Sequence, residues 1–264
     1  MNPSLTKRSI IFERKLLLMF QFFSKKNYLV DYLEGFVDIH NHILPGIDDG
    51  AKTVEESLEL IKGFSAIGIR KFIATPHIMH NYYPNDYESI HKAQGILLDR
   101  LLKEGMKEIS LDVAAEHMID SNFELLLDQS KEMAHISRYL LIEMSYLQPP
   151  INFDQALEKI AIHRYIPILA HPERYNFLHA GSSKYTKFKS SGILFQMNLL
   201  SLSDYYGKEV QNKTFKLLQD GLIDYAASDV HNSHQLESLK EIQIKNRHIK
   251  LLLPVIEKTI NDFY

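Results

Sequence analysis

The stretch Phe36-Val37-Asp38-Ile39-His40-Asn41-His42-Ile43-Leu44-Pro45-Gly46-Ile47-Asp48-Asp49-Gly50 decides how this chain is read. Two histidines stand one residue apart at the end of an apolar run. In a strand, residues i and i+2 share a face, so His40 and His42 aim two imidazoles one way. Pro45, Gly46 and Gly50 break the strand, and Asp48 and Asp49 bring carboxylates beside the imidazoles. Paired imidazoles with a nearby carboxylate are what a divalent transition metal takes as donors.

Downstream of this stretch, strands and helices alternate. Thr53-Val54-Glu55-Glu56 is a capping box, and Val54, Leu58, Ile61 and Phe64 follow at helical spacing. Lys71–Thr75 reads as a buried strand stopped by Pro76-His77. Tyr87 to Leu102 carries helical spacing, and Leu111–Ala115 is a third strand ending at Glu116. Phe123 to Leu127 is a short helix. Tyr139–Ile142 is a fourth strand ending at Glu143, followed by a helix from Phe153 to Arg164. Ile166–Ala170 ends at His171, and Leu194–Met197 ends at Asn198. A helix from Val210 to Gln219 leads into Ile223–Ala227, which ends in Ser228-Asp229-Val230-His231. Helical material closes the chain. Such alternation implies parallel pairing with right-handed crossovers, and about seven units favour a barrel over an open sheet.

On that reading His40, His42, His77, Glu116, Glu143, His171, Asp229 and His231 all stand at the ends of strands, and in a β/α barrel those ends meet on one face. Five of the 13 histidines fall there. Asp229-x-His231 mirrors His40-x-His42, and carboxylates such as Glu116 can bridge, so two or three metals could share the set. Clustered divalent ions activate water and neutralise phosphoryl oxygens.

Composition bounds the remaining classes. The chain has 264 residues, 45% hydrophobic and 24% charged, as in an ordinary globular protein. A net charge of -3 argues against a broad nucleic-acid-binding face, so no nucleic-acid partner is expected. There is no cysteine, which removes thiolate metal sites and any cysteine nucleophile, and fits a reducing, cytoplasmic setting. Residues 1–35 carry short apolar runs interrupted by Glu13, Arg14 and Lys15. They read as an amphipathic arm or extension rather than a membrane span or signal peptide, with residues 36–264 as one domain.

Asp38-Ile39-His40-Asn41-His42-Ile43-Leu44-Pro45-Gly46-Ile47-Asp48-Asp49-Gly50-Ala51, Ala74-Thr75-Pro76-His77, His171-Pro172-Glu173-Arg174-Tyr175 and Ser228-Asp229-Val230-His231 together resemble the PHP (polymerase and histidinol phosphatase) superfamily. More closely they resemble its bacterial manganese-dependent protein-tyrosine phosphatases of capsule and exopolysaccharide biosynthesis. The resemblance covers about Phe36 to Lys258. It implies a distorted (β/α)7 TIM-like barrel, the PHP fold, with three metal ions. These are expected as Mn²⁺, although Fe, Co or Zn suit the same donors. It implies His40, His42, Glu116 and Asp229 for one ion, Glu116, Glu143 and His171 for a second, and Asp49, His77 and His231 for a third. Arg174 matches the phosphate-contacting arginine; its bland alternative is a surface pair with Glu173. Asp48 is left to orient a ligand, hold a water, protonate the leaving oxygen or cap the next helix.

His80, His117 and His234 read as solvated loop residues, with pocket lining as the alternative. Tyr82, Tyr83, Tyr205 and Tyr206 read as loop packing or as platforms for an aryl substrate. The implied reaction is in-line hydrolysis of phosphotyrosine by a metal-bridged hydroxide. The implied partner is the phosphotyrosine tail of a polysaccharide-export tyrosine kinase. Competing readings are a small-molecule phosphatase of the histidinol-phosphatase type, a nuclease-type site, and a non-catalytic kinase-binding regulator.

Overall fold

A computed structural model describes residues 27–135, 138–179 and 181–264. The expected alternation is present throughout. Among the described residues, nine short strands form two parallel sheets. One has the order β1 (Val37–Asp38), β2 (Lys71–Ala74), β4 (Ser110–Val113). The other has the order β3 (His77–Ile78), β5 (Glu116–Met118), β6 (Tyr139–Glu143), β7 (Ile166–Ala170), β8 (Leu194–Asn198), β9 (Tyr225–Ala227). Every pairing is parallel.

The second and third expected strands are each broken in two. Pro76 has no N–H to give, so the ladder fails after Ala74 and resumes at His77, which pairs with Glu116. The break at Ala114-Ala115 matches it, and there the Ala115 N–H turns to Met133 O at 3.0 Å. His77 and Glu116 thus open resumed strands rather than following finished ones.

The ring is drawn together beyond the ends of β1 and β9. His40 O accepts from the Asp229 N–H at 2.8 Å, and Val230 O accepts from the His42 N–H at 3.0 Å. The buried Asp38 carboxylate reinforces this seam by accepting from the Ser228 N–H at 2.9 Å and its hydroxyl at 2.6 Å. Burial pushes the Asp38 carboxyl up to about 6, even though these hydrogen bonds and His40 pull the other way. The result is the distorted barrel of seven parallel strand lines.

Two apolar cores hold it. Val37, Ile39, Ile73, Ala114, Leu141, Ile168, Ala170, Tyr225 and Ala227 pack together with Phe263, which the last helix (Asn246–Phe263) inserts among the strand residues. The larger core joins the strands to the surrounding helices. In the first of these helices, Val54–Ser65, Thr53 Oγ1 accepts from the Glu56 N–H at 3.2 Å. The Glu56 carboxylate reaches the Lys52 N–H at 2.7 Å, so only half of the capping box forms.

Residues 27–35 pack on the barrel. Leu29, Tyr32 and Leu33 are buried, the Leu29 N–H donates to Ile242 O at 2.8 Å, and the Ile244 N–H donates to Asn27 O at 2.9 Å. The reading of residues 1–26 as an arm lies outside the described residues.

Candidate metal centre

All nine residues expected to hold metal gather at one rim. His40 Nε2 lies 3.1 Å from Glu116 Oε2, 3.3 Å from Asp229 Oδ1 and 3.3 Å from His42 Nε2. His42 Nε2 is 3.5 Å from Glu116 Oε2 and 3.4 Å from Asp229 Oδ1. Donor atoms at tetrahedral corners about 2.0–2.1 Å from a common ion stand roughly 3.3–3.4 Å apart. His40 Nε2, His42 Nε2 and Asp229 Oδ1 have that spacing, with Glu116 Oε2 beside His40, so the side chains present suit an ion there.

A second group is His77, Glu116 and Glu143. His77 Nδ1 is 3.1 Å from Glu116 Oε2 and 2.9 Å from Glu143 Oε1, yet all three atoms are buried without a hydrogen bond. Orphaned buried donors and acceptors are rare in folded proteins, and a cation between them accounts for all three. His171, expected with Glu116 and Glu143, places Nε2 3.1 Å from Glu116 Oε1. A third group is His42, Asp49, His77 and His231. Asp49 Oδ1 lies 3.3 Å from His77 Nε2 and 3.5 Å from His231 Nε2. The expected trio of Asp49, His77 and His231 meets, whereas beside Glu116 and Glu143 it is His77 that completes the group and His171 touches Glu116 alone; His42 and His77 are each shared between neighbouring groups.

Charge explains how such a cluster is tolerated. Burial pushes the Glu116 carboxyl up, but His40 and His77 beside it hold it well below the usual range. Asp229 is held well below its range in the same way, by His40 and His42 against its burial. His40 is raised because Glu116 and Asp229 outweigh its burial. His231 is pushed down to about 4, by burial first and then by His42, which keeps its ring neutral and able to donate a lone pair.

Several ring orientations are fixed from behind. His40 Nδ1 faces Gln196 Oε1 at 2.7 Å, and His42 Nδ1 faces Asp48 Oδ2 at 2.7 Å. The His231 Nδ1–H donates to Asp229 O at 3.0 Å. Each bond leaves Nε2 bare toward the cluster. His171 (φ 36°) and Asp229 (φ 52°) hold left-handed backbone, a conformation that costs a non-glycine residue about 1–3 kcal/mol and aims the side chain inward. Gly50 has no side chain for a packing reason: a Cβ there would stand 2.0 Å from His42 O.

Of the roles open to Asp48, the geometry fits orientation. Its carboxylate accepts from His42 Nδ1–H, the His77 N–H at 3.2 Å and the Gly50 N–H at 2.8 Å. Arg174 is not paired with Glu173, which is wholly buried and accepts the Asn198 N–H at 2.8 Å. Its Nη1–H donates instead to Asp229 Oδ2 at 2.8 Å, and the guanidinium lines a cavity of about 690 Å³ above the donor cluster. Met79, Tyr82, Tyr83, Met144 and Leu147 form much of that cavity's wall. Tyr83 stacks on His77 at 5.6 Å. Tyr205 lies away from the cavity, and Tyr206 is turned onto Arg174. His80 and His234 are exposed, but His117 is a buried core residue, hydrogen-bonded through Nδ1 to Leu141 O at 2.9 Å.

The matches to other proteins agree with the geometry. The family model of capsular polysaccharide synthesis, CpsB/CapC, matches residues 36–243. The chain belongs to this family. The tyrosine-protein phosphatase YwqE of Bacillus subtilis is 32% identical over 225 residues, covering 84% of each chain. The putative tyrosine-protein phosphatase CapC of Staphylococcus aureus is 29% identical over 230 residues, covering 86% of this chain and 89% of its own. Among solved structures, one from work on YwqE of Bacillus subtilis and CpsB of Streptococcus pneumoniae, described as unique metal-dependent tyrosine phosphatases, superposes with a TM-score of 0.72. It is 29% identical and covers 86% of this chain and 90% of that one. A zinc-bound amidohydrolase at 12% identity shares the fold alone, with a TM-score of 0.50.

Two residues of this CpsB/CapC-type centre escaped the sequence reading. Gln196 holds His40, and the Asn198 Nδ2–H donates to Asp229 Oδ2 at 2.7 Å. A signal existed: Gln196-x-Asn198 puts two amides on one face at the end of a strand, the spacing of His40-x-His42.

Proposed function

We propose that this protein is a metal-dependent tyrosine phosphatase. The observation that carries the reading is a floor of imidazole and carboxylate donors with one guanidinium beside it, beneath a wall of aromatic and apolar side chains. A phosphate monoester needs the floor, and an aryl group needs the wall. The names borne by the relatives in the CpsB/CapC family support the same activity.

His40, His42, Glu116 and Asp229 would hold one divalent ion. Glu116, Glu143 and His171, with His77 close by, would hold a second, and Asp49, His77 and His231 a third. Such ions supply Lewis acidity and lower the pKa of water at neutral pH. Manganese is the proposed metal. Asp48 and Gln196 keep His42 and His40 with Nε2 unprotonated. Arg174 has N–H groups beyond the one given to Asp229, and they bind non-bridging phosphoryl oxygens as charge builds. Tyr82 and Tyr83 flank the aryl ring. A phenol, with a pKa near ~10, departs without strong protonation.

The proposed partner is the phosphotyrosine tail of a polysaccharide-export tyrosine kinase. The proposed catalytic unit is residues 36–264, with residues 1–35 as an added arm. The test is hydrolysis of an aryl phosphate by protein reconstituted with Mn²⁺, with and without EDTA, alongside phosphotyrosine peptide and histidinol phosphate. Loss of activity in EDTA and a higher kcat/KM on the peptide are expected. Full activity in EDTA would sink the metal scheme, and a preference for histidinol phosphate would reassign the substrate.

A further inference from the structure

Arg174 is built into a closed circuit of contacts. Its Nη1–H donates to Asp229 Oδ2 at 2.8 Å. The same oxygen accepts from the Asn198 side-chain amide at 2.7 Å, and that amide also donates to the Tyr206 hydroxyl at 3.2 Å. The Tyr206 ring returns to the start, with the guanidinium carbon 4.1 Å from its centre. A second ring, Tyr146, lies 4.7 Å from the same carbon and sets its hydroxyl 3.4 Å from His171 Nε2.

From this circuit we infer that Tyr206 is the positioning residue for the phosphoryl-binding arginine. The inference rests on the phosphatase reading of the site. A guanidinium held by one ion pair can still swivel about that contact, whereas a ring against its plane fixes the orientation of the remaining N–H fork. Tyr206 is itself anchored by Asn198, which also anchors Asp229. The arginine plane and a metal-type carboxylate are therefore set by one amide. The Arg174 side chain is only 20% exposed, and this partial loss of water strengthens a cation–ring attraction.

The test uses full-length protein loaded with Mn²⁺, checked by elemental analysis, and inorganic phosphate as the probe in calorimetric titrations. Aryl phosphate kinetics run in parallel. Tyr206→Leu, which removes ring and hydroxyl, is expected to weaken phosphate binding about tenfold and to raise KM by a similar factor. Tyr206→Phe keeps the ring and loses only the bond from Asn198, so a change of about threefold is expected. In an Arg174→Gln background, adding Tyr206→Leu is expected to change phosphate affinity by less than about twofold, since the two residues act as one unit.

A Tyr206→Leu effect of equal size with and without Arg174 would overturn the inference, as would Tyr206→Phe behaving like Tyr206→Leu. If Tyr206→Leu does not fold, the Tyr206→Phe result in the two backgrounds decides. Loaded wild-type protein that binds no phosphate and hydrolyses nothing would overturn the phosphatase reading and the inference with it. Wild-type activity with unaffected Tyr206 variants would overturn the inference alone.

Discussion

Replacing Asp48 by Asn tests how the centre is held from behind. The wild-type carboxylate accepts three hydrogen bonds, from His42 Nδ1–H, His77 N–H and Gly50 N–H. An amide of the same shape has one oxygen and one NH₂ group. If the oxygen stays on His42, the NH₂ faces the Gly50 N–H, donor against donor. If the amide flips, the NH₂ meets His42 Nδ1 and favours the tautomer with its proton on Nε2, the nitrogen proposed to take the metal.

Either way a buried bond to a charged acceptor is lost, worth about 1.5–3 kcal/mol. At about 1.4 kcal/mol per tenfold, that is a factor of roughly 10–150 in metal affinity, in line with the 10–100-fold typical of groups that orient metal-binding histidines. Competition between the protein and a chromophoric chelator for Mn²⁺ measures the shift directly. An Asp48→Asn variant that binds Mn²⁺ as tightly as wild type would refute the reasoning. It would show that ring orientation is set by packing alone.

Other outcomes follow from the same geometry. His135 is buried with neither ring nitrogen hydrogen-bonded among the described residues, and burial pushes its imidazole down to about 3. The unfolded chain therefore binds the proton more readily, and stability falls as pH drops below about 6.5. The loss is on the order of 2–3 kcal/mol by pH 4.5, and His135→Leu is expected to reduce the acid-induced fall in Tm. Gly50→Ala forces a methyl group to within 2.0 Å of His42 O, so more than about 2 kcal/mol of destabilisation and weaker metal binding are expected in denaturant and chelator titrations. Phe263→Ala empties a fully buried site against Tyr139, Tyr225 and His135, and about 3–5 kcal/mol of stability is expected to go. Unchanged urea midpoints would contradict that packing.

The alternation of strands and helices was legible because buried parallel strands read as short apolar runs and the helices carry clear spacing. The donors were legible because they stand where those runs end. The breaks inside the second and third strands were less so. Pro76 announces one of them, but Ala114-Ala115 carries no local signal, since its cause is the segment around Met133 entering beside it. Gln196 and Asn198 act only through partners that the fold brings from β1 and β9, and Gln196 is 156 positions from His40. Arg174 was found by its motif, yet its pairing with Asp229, 55 positions away, was not visible locally. Short helices such as Asn176–His179 and Ser182–Ser190 have little apolar periodicity and went unseen.

The seam between Asp38 and Ser228 joins residues 190 positions apart. The chain leaves the ribosome with its N-terminal half first, so His40 and His42 emerge long before Asp229, His231 and the clamp that fastens them. A nascent chain has a pair of imidazoles but no cage, and pairing at such separation forms slowly. The closure that completes the fold also completes the proposed metal site. Copies that end before Ser228 would therefore lack hydrolytic power, and the cell would be spared the activity of an unfinished enzyme.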